Sequence, residues 1–135
     1  MRALGIDLGT KRVGLAISDR SGTIASPHSV VLRQSKKQLL AEILRVVTEE
    51  EIEIVVVGLP LTMSGDEGPA ATSARREADE IATVVSVPVE LFDERMTTEA
   101  ADRALREADI RASDRRRHVD KVAAAVMLQA WLDRQ

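Results

Sequence analysis

Cysteine is absent from this chain of 135 residues, which excludes disulfides and thiolate metal sites. Aromatic residues are almost absent too: Phe92 and Trp131 stand alone, without a tyrosine. A chain so poor in rings is badly equipped to stack bases on aromatic platforms. A nucleic-acid ligand would have to be recognised through its backbone and shape. Histidine occurs only as His28 and His118, which is no basis for a zinc site. No apolar stretch is long enough to span a membrane, and Met1-Arg2-Ala3-Leu4 does not open a signal peptide, so a cytoplasmic protein with no membrane attachment is expected.

Charge is plentiful and uneven. The net value of −3 argues against indiscriminate nucleic-acid binding. Residues 1–34 carry five basic and two acidic side chains, residues 111–135 six and three, and residues 61–110 five and twelve. The two positive ends make one basic face if the fold joins them; otherwise they are ordinary solvated charge. The length suits one domain over 1–135 with an aliphatic core.

The hydrophobic pattern predicts strands over 3–8 and 13–18, joined by a Gly-Thr-Lys-Arg turn. Asp19-Arg20-Ser21-Gly22-Thr23 is a second turn, before an extended segment over 23–32. Pro27 interrupts that segment and marks an edge strand or a bulge. Ser35-Lys36-Lys37-Gln38 reads as a capping box before a helix to Glu50 with Leu39, Leu40, Ile43, Leu44, Val46 and Val47 on one face. The run Ile54, Val55, Val56, Val57 suits a strand over 52–58 that is buried on both faces. A Gly- and Pro-rich loop over 59–69, a helix over 70–85 and a strand over 87–92 follow. Thr97 or Thr98 then caps a helix with Glu99 in its first turn, and Ser113 or Asp114 caps a last helix to Leu132. The order βββαβαβα(α) is an α/β sheet, antiparallel first and parallel afterwards.

Three acids stand out. Asp7 ends an otherwise apolar strand, where an acid is costly unless paired, hydrogen-bonded or bound to metal. Glu94 follows the strand over 87–92, beyond the carboxyl end where ligand sites of open α/β sheets lie. Asp120 shares a helix face with Ala123, Ala124, Met127 and Trp131, on a helix apolar around most of its circumference. Each has a plainer role open to it: closing a hairpin, pairing with Arg95, or capping a helix. If they converge, oxygen ligands without cysteine or histidine suit Mg²⁺ or Mn²⁺. Two such ions about 4 Å apart can clamp the attacking and leaving oxygens of a phosphodiester displacement.

Four segments carry a resemblance. They are Gly5-Ile6-Asp7-Leu8-Gly9-Thr10-Lys11-Arg12-Val13-Gly14, Val57-Gly58-Leu59-Pro60-Leu61-Thr62-Met63-Ser64-Gly65, Asp93-Glu94-Arg95-Met96-Thr97-Thr98 and Val119-Asp120-Lys121-Val122-Ala123-Ala124. In this order the set resembles the YqgF/RuvX proteins, Holliday junction resolvases or pre-16S rRNA nucleases of ribonuclease H-like fold. The resemblance implies a five-stranded mixed sheet with helices on both sides, and Asp7, Glu94 and Asp120 as metal-binding, catalytic carboxylates. His118 stands where the family usually has a basic residue two before the last acid. Arg115, Arg116 and Arg117 oppose the helix dipole and are easier to understand if they meet phosphates.

The leading expectation is therefore a Mg²⁺- or Mn²⁺-dependent endonuclease. Thr10, Lys11, Arg12, Arg75, Arg95, Arg116 and His118 are its candidate substrate contacts. The family implies the 5′ end of precursor 16S rRNA as substrate, with the ribosome as a further partner. Four-way DNA is the alternative substrate, and a non-catalytic RNA-binding assembly factor the alternative role. Asp-x-Gly-Thr after a strand also occurs in actin-like ATPases and sugar kinases, but those need a second lobe, and this chain is about one lobe long. The loop over 59–68 is expected near the site, with Gly58, Gly65 and Gly68 either allowing movement or shaping a rigid turn. Monomer and homodimer are equally open.

Overall fold

In the structure, a computed structural model that describes residues 1–97 and 115–135 (only the backbone over 115–121), the strands form one sheet of order β3-β2-β1-β4-β5. These are β1 (Ala3–Leu8), β2 (Arg12–Ser18), β3 (Ala25–Leu32), β4 (Ile54–Leu59) and β5 (Val89–Asp93). β1, β2 and β3 form the antiparallel meander, and β4 and β5 add in parallel on the other side of β1. Helices α1 (Lys36–Glu49) and α2 (Pro69–Val84) make the crossovers, and α3 (Arg115–Leu132) closes the described chain.

The faces of β1 sort by alternation. Leu4 and Ile6 join the core with Ile43, Val46 and Ile81 of α1 and α2. Ala3 lies on the other face, in a core with Ala124, Met127, Leu128 and Trp131 of α3. Val55 and Val57 go to the first core and Val56 to the second, so β4 is buried on both sides as its apolar run requires. The Ser35 hydroxyl accepts from the Gln38 amide at 3.1 Å, and α1 buries Leu39, Ile43, Val46 and Val47, one face of a helix. α2 begins with Pro69 and buries Ala71, Ala74 and Ala78, small residues that let it lie close to the sheet.

Strand ends differ from expectation by one or two residues, for local reasons. The Asp19 carboxylate takes the amides of Thr23 and Ile24 at 2.8 and 3.0 Å, so those residues belong to the turn and β3 starts at Ala25. Pro88 has no N–H to give, and β5 starts at Val89. β4 starts at Ile54 rather than Ile52 and runs through Leu59. Gly58, expected to end this strand and also named among the glycines that either allow movement or shape a rigid turn, lies inside the sheet opposite Phe92. β3 is an edge strand with a bulge: Leu15 pairs with Ser29 and Ala16 with Pro27, leaving His28 over. The helix expected after Thr97 or Thr98, with Glu99, and the expected caps Ser113 and Asp114 lie outside the described residues. Among the described residues no helix is long and apolar enough to cross a membrane.

α3 sits close to the sheet because Gly5 has no side chain. A Cβ there would lie 2.9 Å from Leu128 Cβ and 3.3 Å from the Ala124 carbonyl oxygen. Gly5→Ala is expected to lift the helix and destabilise the protein by about 2 kcal/mol, a typical overpacking cost. Thermal unfolding should show a melting temperature several degrees lower; an unchanged one would contradict this packing.

Candidate active site

Asp7 is the next-to-last residue of β1, opposite Gly14 of β2 and on the face that α3 covers. Glu94 opens a single 3₁₀ turn (Glu94–Met96) at the end of β5. Asp93 fixes that turn. Its carboxylate accepts the Arg95 amide at 2.9 Å and the Arg95 guanidinium at 2.7 Å. Arg95 therefore belongs to Asp93, and Glu94 is left to turn back across β4. Its side chain passes over Gly58, where an added Cβ would fall on the Glu94 carboxylate. Continuing the β1–β4 register from Ile6 opposite Val57 brings Gly58 level with Asp7. There the two carboxyl groups share a hydrogen bond.

The Glu94 carboxyl is pushed up to about 8, first by burial, then by the Asp7 hydrogen bond and charge, with a further push from Asp93. Two acids that hold one proton between them in a half-buried place answer the cost of burying an acid at the end of β1. The pair also suits a hard dication: its donors are all oxygen, both sit on sheet-anchored backbone, and a positive ion would replace the shared proton. Among the described residues no third acidic or histidine side chain joins them into a metal-sized cluster. Asp120 lies in the first half of α3, one helical turn before Ala124, which packs over Gly5. α3 runs antiparallel to β1, since Leu132 reaches the core around Ala3, so its first half heads toward Asp7. The side chains of Asp120, Arg116 and His118 lie outside the described residues.

A pH dependence follows. The folded protein keeps the Glu94 proton from about pH 4.5 to about 8, while the unfolded chain has lost it. Stability from this group is therefore present below about 4.5 and lost as pH rises through 8. Glu94→Gln is expected to flatten that decline in melting temperature between those limits. The same decline in both proteins would contradict the pairing.

The candidate phosphate contacts separate into two groups. Thr10 and Lys11 are exposed on the three-residue turn over 9–11, and Arg12 begins β2 beside it. Among the described residues their side chains make no hydrogen bond or ion pair. Arg75 is paired with Glu67, and Arg95 with Asp93 while reaching the Met63 carbonyl at 3.5 Å. The loop over 59–68 is thereby tied to the site. It is a built turn: Gly65, at φ +91°, donates to the Thr62 carbonyl at 2.9 Å, and the Thr62 hydroxyl takes the Asp66 amide at 3.1 Å. Sequence reasoning missed that Gly58 makes room for Glu94, and that Asp93 removes Arg95 from its neighbour. A glycine ending a run of buried valines was the available signal for the first.

The family model described as RuvX: Holliday junction resolvase matches residues 1–134. The chain belongs to the RuvX family. A relative from Myxococcus xanthus, provisionally named a pre-16S rRNA nuclease, is 49% identical over 133 residues, 98% of this chain and 88% of its own. One from Chloroflexus aggregans with the same name is 42% identical over 130 residues, 96% of this chain and 92% of its own. Among solved structures, T. thermophilus RuvC in complex with Holliday junction substrate has a TM-score of 0.65 at 18% identity, covering 99% of this chain and 96% of RuvC. The fowlpox virus resolvase with Holliday junction DNA has a TM-score of 0.58 at 10% identity, covering 99% and 98%. The fold is ribonuclease H-like, as the sequence led us to expect.

Proposed function

We propose that the chain is a metal-dependent endonuclease, one nuclease domain over 1–135, that trims the 5′ end of precursor 16S rRNA in the cytoplasm. The names of its relatives support the substrate, and the Asp7–Glu94 carboxyl pair supports the chemistry. Asp7, Glu94 and Asp120 would hold Mg²⁺ or Mn²⁺. When bound, such an ion supplies Lewis acidity for displacement at phosphorus. Thr10, Lys11 and Arg12 face the substrate from the rim beside Asp7, Lys11 and Arg12 neutralising its phosphates and the Thr10 hydroxyl donating to them. Arg116 and His118, near the start of α3, are placed to extend that contact if their helix end meets the same backbone. Arg75 and Arg95 reach a phosphate by exchanging the acid each now holds. With so few aromatic side chains, recognition rests on backbone and shape.

The family description favours a second reading, cleavage of four-way DNA junctions by the same residues. Labelled precursor 16S 5′-end RNA and a four-way DNA junction, each with Mg²⁺, Mn²⁺ or EDTA, separate the two. Metal-dependent cutting of RNA alone supports rRNA processing, and cutting of the junction alone moves the function to recombination. If neither is cut, including RNA within assembled precursor subunits, the nuclease reading fails and a binding role replaces it.

A further inference from the structure

The turn over 9–11 carries two exposed candidate phosphate contacts, Thr10 and Lys11, and it is braced from outside as well as by the strands it joins. Gly9 makes it tight: a Cβ there would collide with the Arg12 carbonyl. A further hold comes from Arg33, one residue past β3. Its amide donates to the Lys11 carbonyl at 3.0 Å and its Nε to the Gly9 carbonyl at 2.7 Å. Its Nη2 donates to Glu77 Oε2 of α2 at 3.0 Å. Both partners are about three-quarters buried, with side-chain exposures of 26% and 20%, so this is more than a loose surface pair. The planar guanidinium thus brackets the turn against a helix on the opposite face of the sheet from α3. Thr10, Arg33 and Glu77 also line an open groove of about 490 Å³ that continues to Ser73 of α2.

We propose that Arg33 is a positioning residue: it fixes the Gly9 carbonyl so that Thr10 and Lys11 are presented to a backbone phosphate, and Glu77 sets its angle. This rests on the reading of the turn as a substrate contact. The Lys11 carbonyl is held by the main chain, as a continuation of the β2–β3 pairing, whereas the Gly9 carbonyl, just before Thr10, is held by the Arg33 side chain, so a substitution at 33 acts on the Gly9 side of the turn.

The test uses the full chain with Arg33→Gln, Arg33→Lys and Glu77→Gln. In cleavage of whichever substrate the wild type cuts, Arg33→Gln should raise KM about tenfold, the value of one charged hydrogen bond, with kcat changed less than about threefold. Arg33→Lys keeps one donor and should fall between, and Glu77→Gln should move KM in the same direction by less. Amide NMR is the second arm. The Gly9, Thr10 and Lys11 signals should shift in Arg33→Gln, and their response to an added short RNA duplex should weaken. A folded Arg33→Gln with unmoved turn amides and wild-type KM overturns the proposal. If Arg33→Gln does not fold, Glu77→Gln with wild-type KM and turn amides does so. If the wild type cuts neither substrate, the nuclease reading fails, while the amide response still decides the role of Arg33.

Discussion

Asp7→Asn is expected to lower cleavage at least about a thousandfold, some 4 kcal/mol of lost transition-state stabilisation, and to make the metal-free protein more stable. The first effect follows from removing one of the two carboxylates that would hold the dication. The second follows from the same geometry read without metal. Asp7 raises the Glu94 carboxyl through a hydrogen bond and through like charge. An asparagine keeps the shape, removes the charge and can donate to Glu94. Only the Asp7 share of the cost is recovered, because burial remains, so a gain of about 1–2 kcal/mol is expected, several degrees in melting temperature. The gain should be present near pH 8 in EDTA, where the folded Glu94 is losing its proton, and should shrink toward pH 5, where it is retained. Saturating Mn²⁺ should reverse the order, stabilising the wild type more than the variant. Full activity in Asp7→Asn would end the assignment, and a lower melting temperature at pH 8 in EDTA would show that the carboxyl pair is not strained.

Gly58→Ala should cost about a hundredfold in activity with little change in stability. The new methyl group occupies the place of the Glu94 carboxylate and approaches its Cγ at 3.1 Å. A glutamate end is flexible and can swing aside, so the sheet is spared and only the acid is misplaced. Gly58 has no positive φ, and alanine in a strand lowers the entropy of the unfolded chain, which offsets part of any crowding. Cleavage rate and Mn²⁺ affinity should therefore fall together while the melting temperature stays within a few degrees. A large drop in melting temperature would show that the backbone, not Glu94, had moved. Wild-type activity would show that Glu94 need not cross Gly58.

What was legible in the sequence was what depends on neighbours in the chain. The valine run at 55–57, the Ser35 cap and the break at Pro27 each carry a local physical signal, and each element appears in place. Asp7 was visible because an acid at an apolar strand end is costly wherever the strand goes, and Glu94 because it follows a strand's carboxyl end, where ligand sites of open α/β sheets lie. Their meeting came only from the family resemblance and not from the residues themselves, since it depends on β1, β4 and β5 lying side by side and on which residue of β4 stands between the two acids. Gly58 read only as the end of a strand, because its role in making room for Glu94 is set by pairing with strands more than thirty residues away. The same limit applies in Asp93-Glu94-Arg95, where composition alone cannot say which acid takes the arginine. The backbone turn at the strand end decides it, by pointing Asp93 at the Arg95 amide.

The rims of the sheet bear on how the protein behaves when crowded. An outer strand with a bare row of amides and carbonyls invites another chain to join it and begin a fibre. β3 is poorly suited to that role. Pro27 takes one donor out of the row, and the extra residue at His28 breaks the even spacing that a joining strand would need to match. The opposite rim, β5, is only five residues long and ends at once in the turn that carries Glu94. Neither rim offers a long flat template, so concentrated solutions of this protein should resist ordered aggregation through edge pairing.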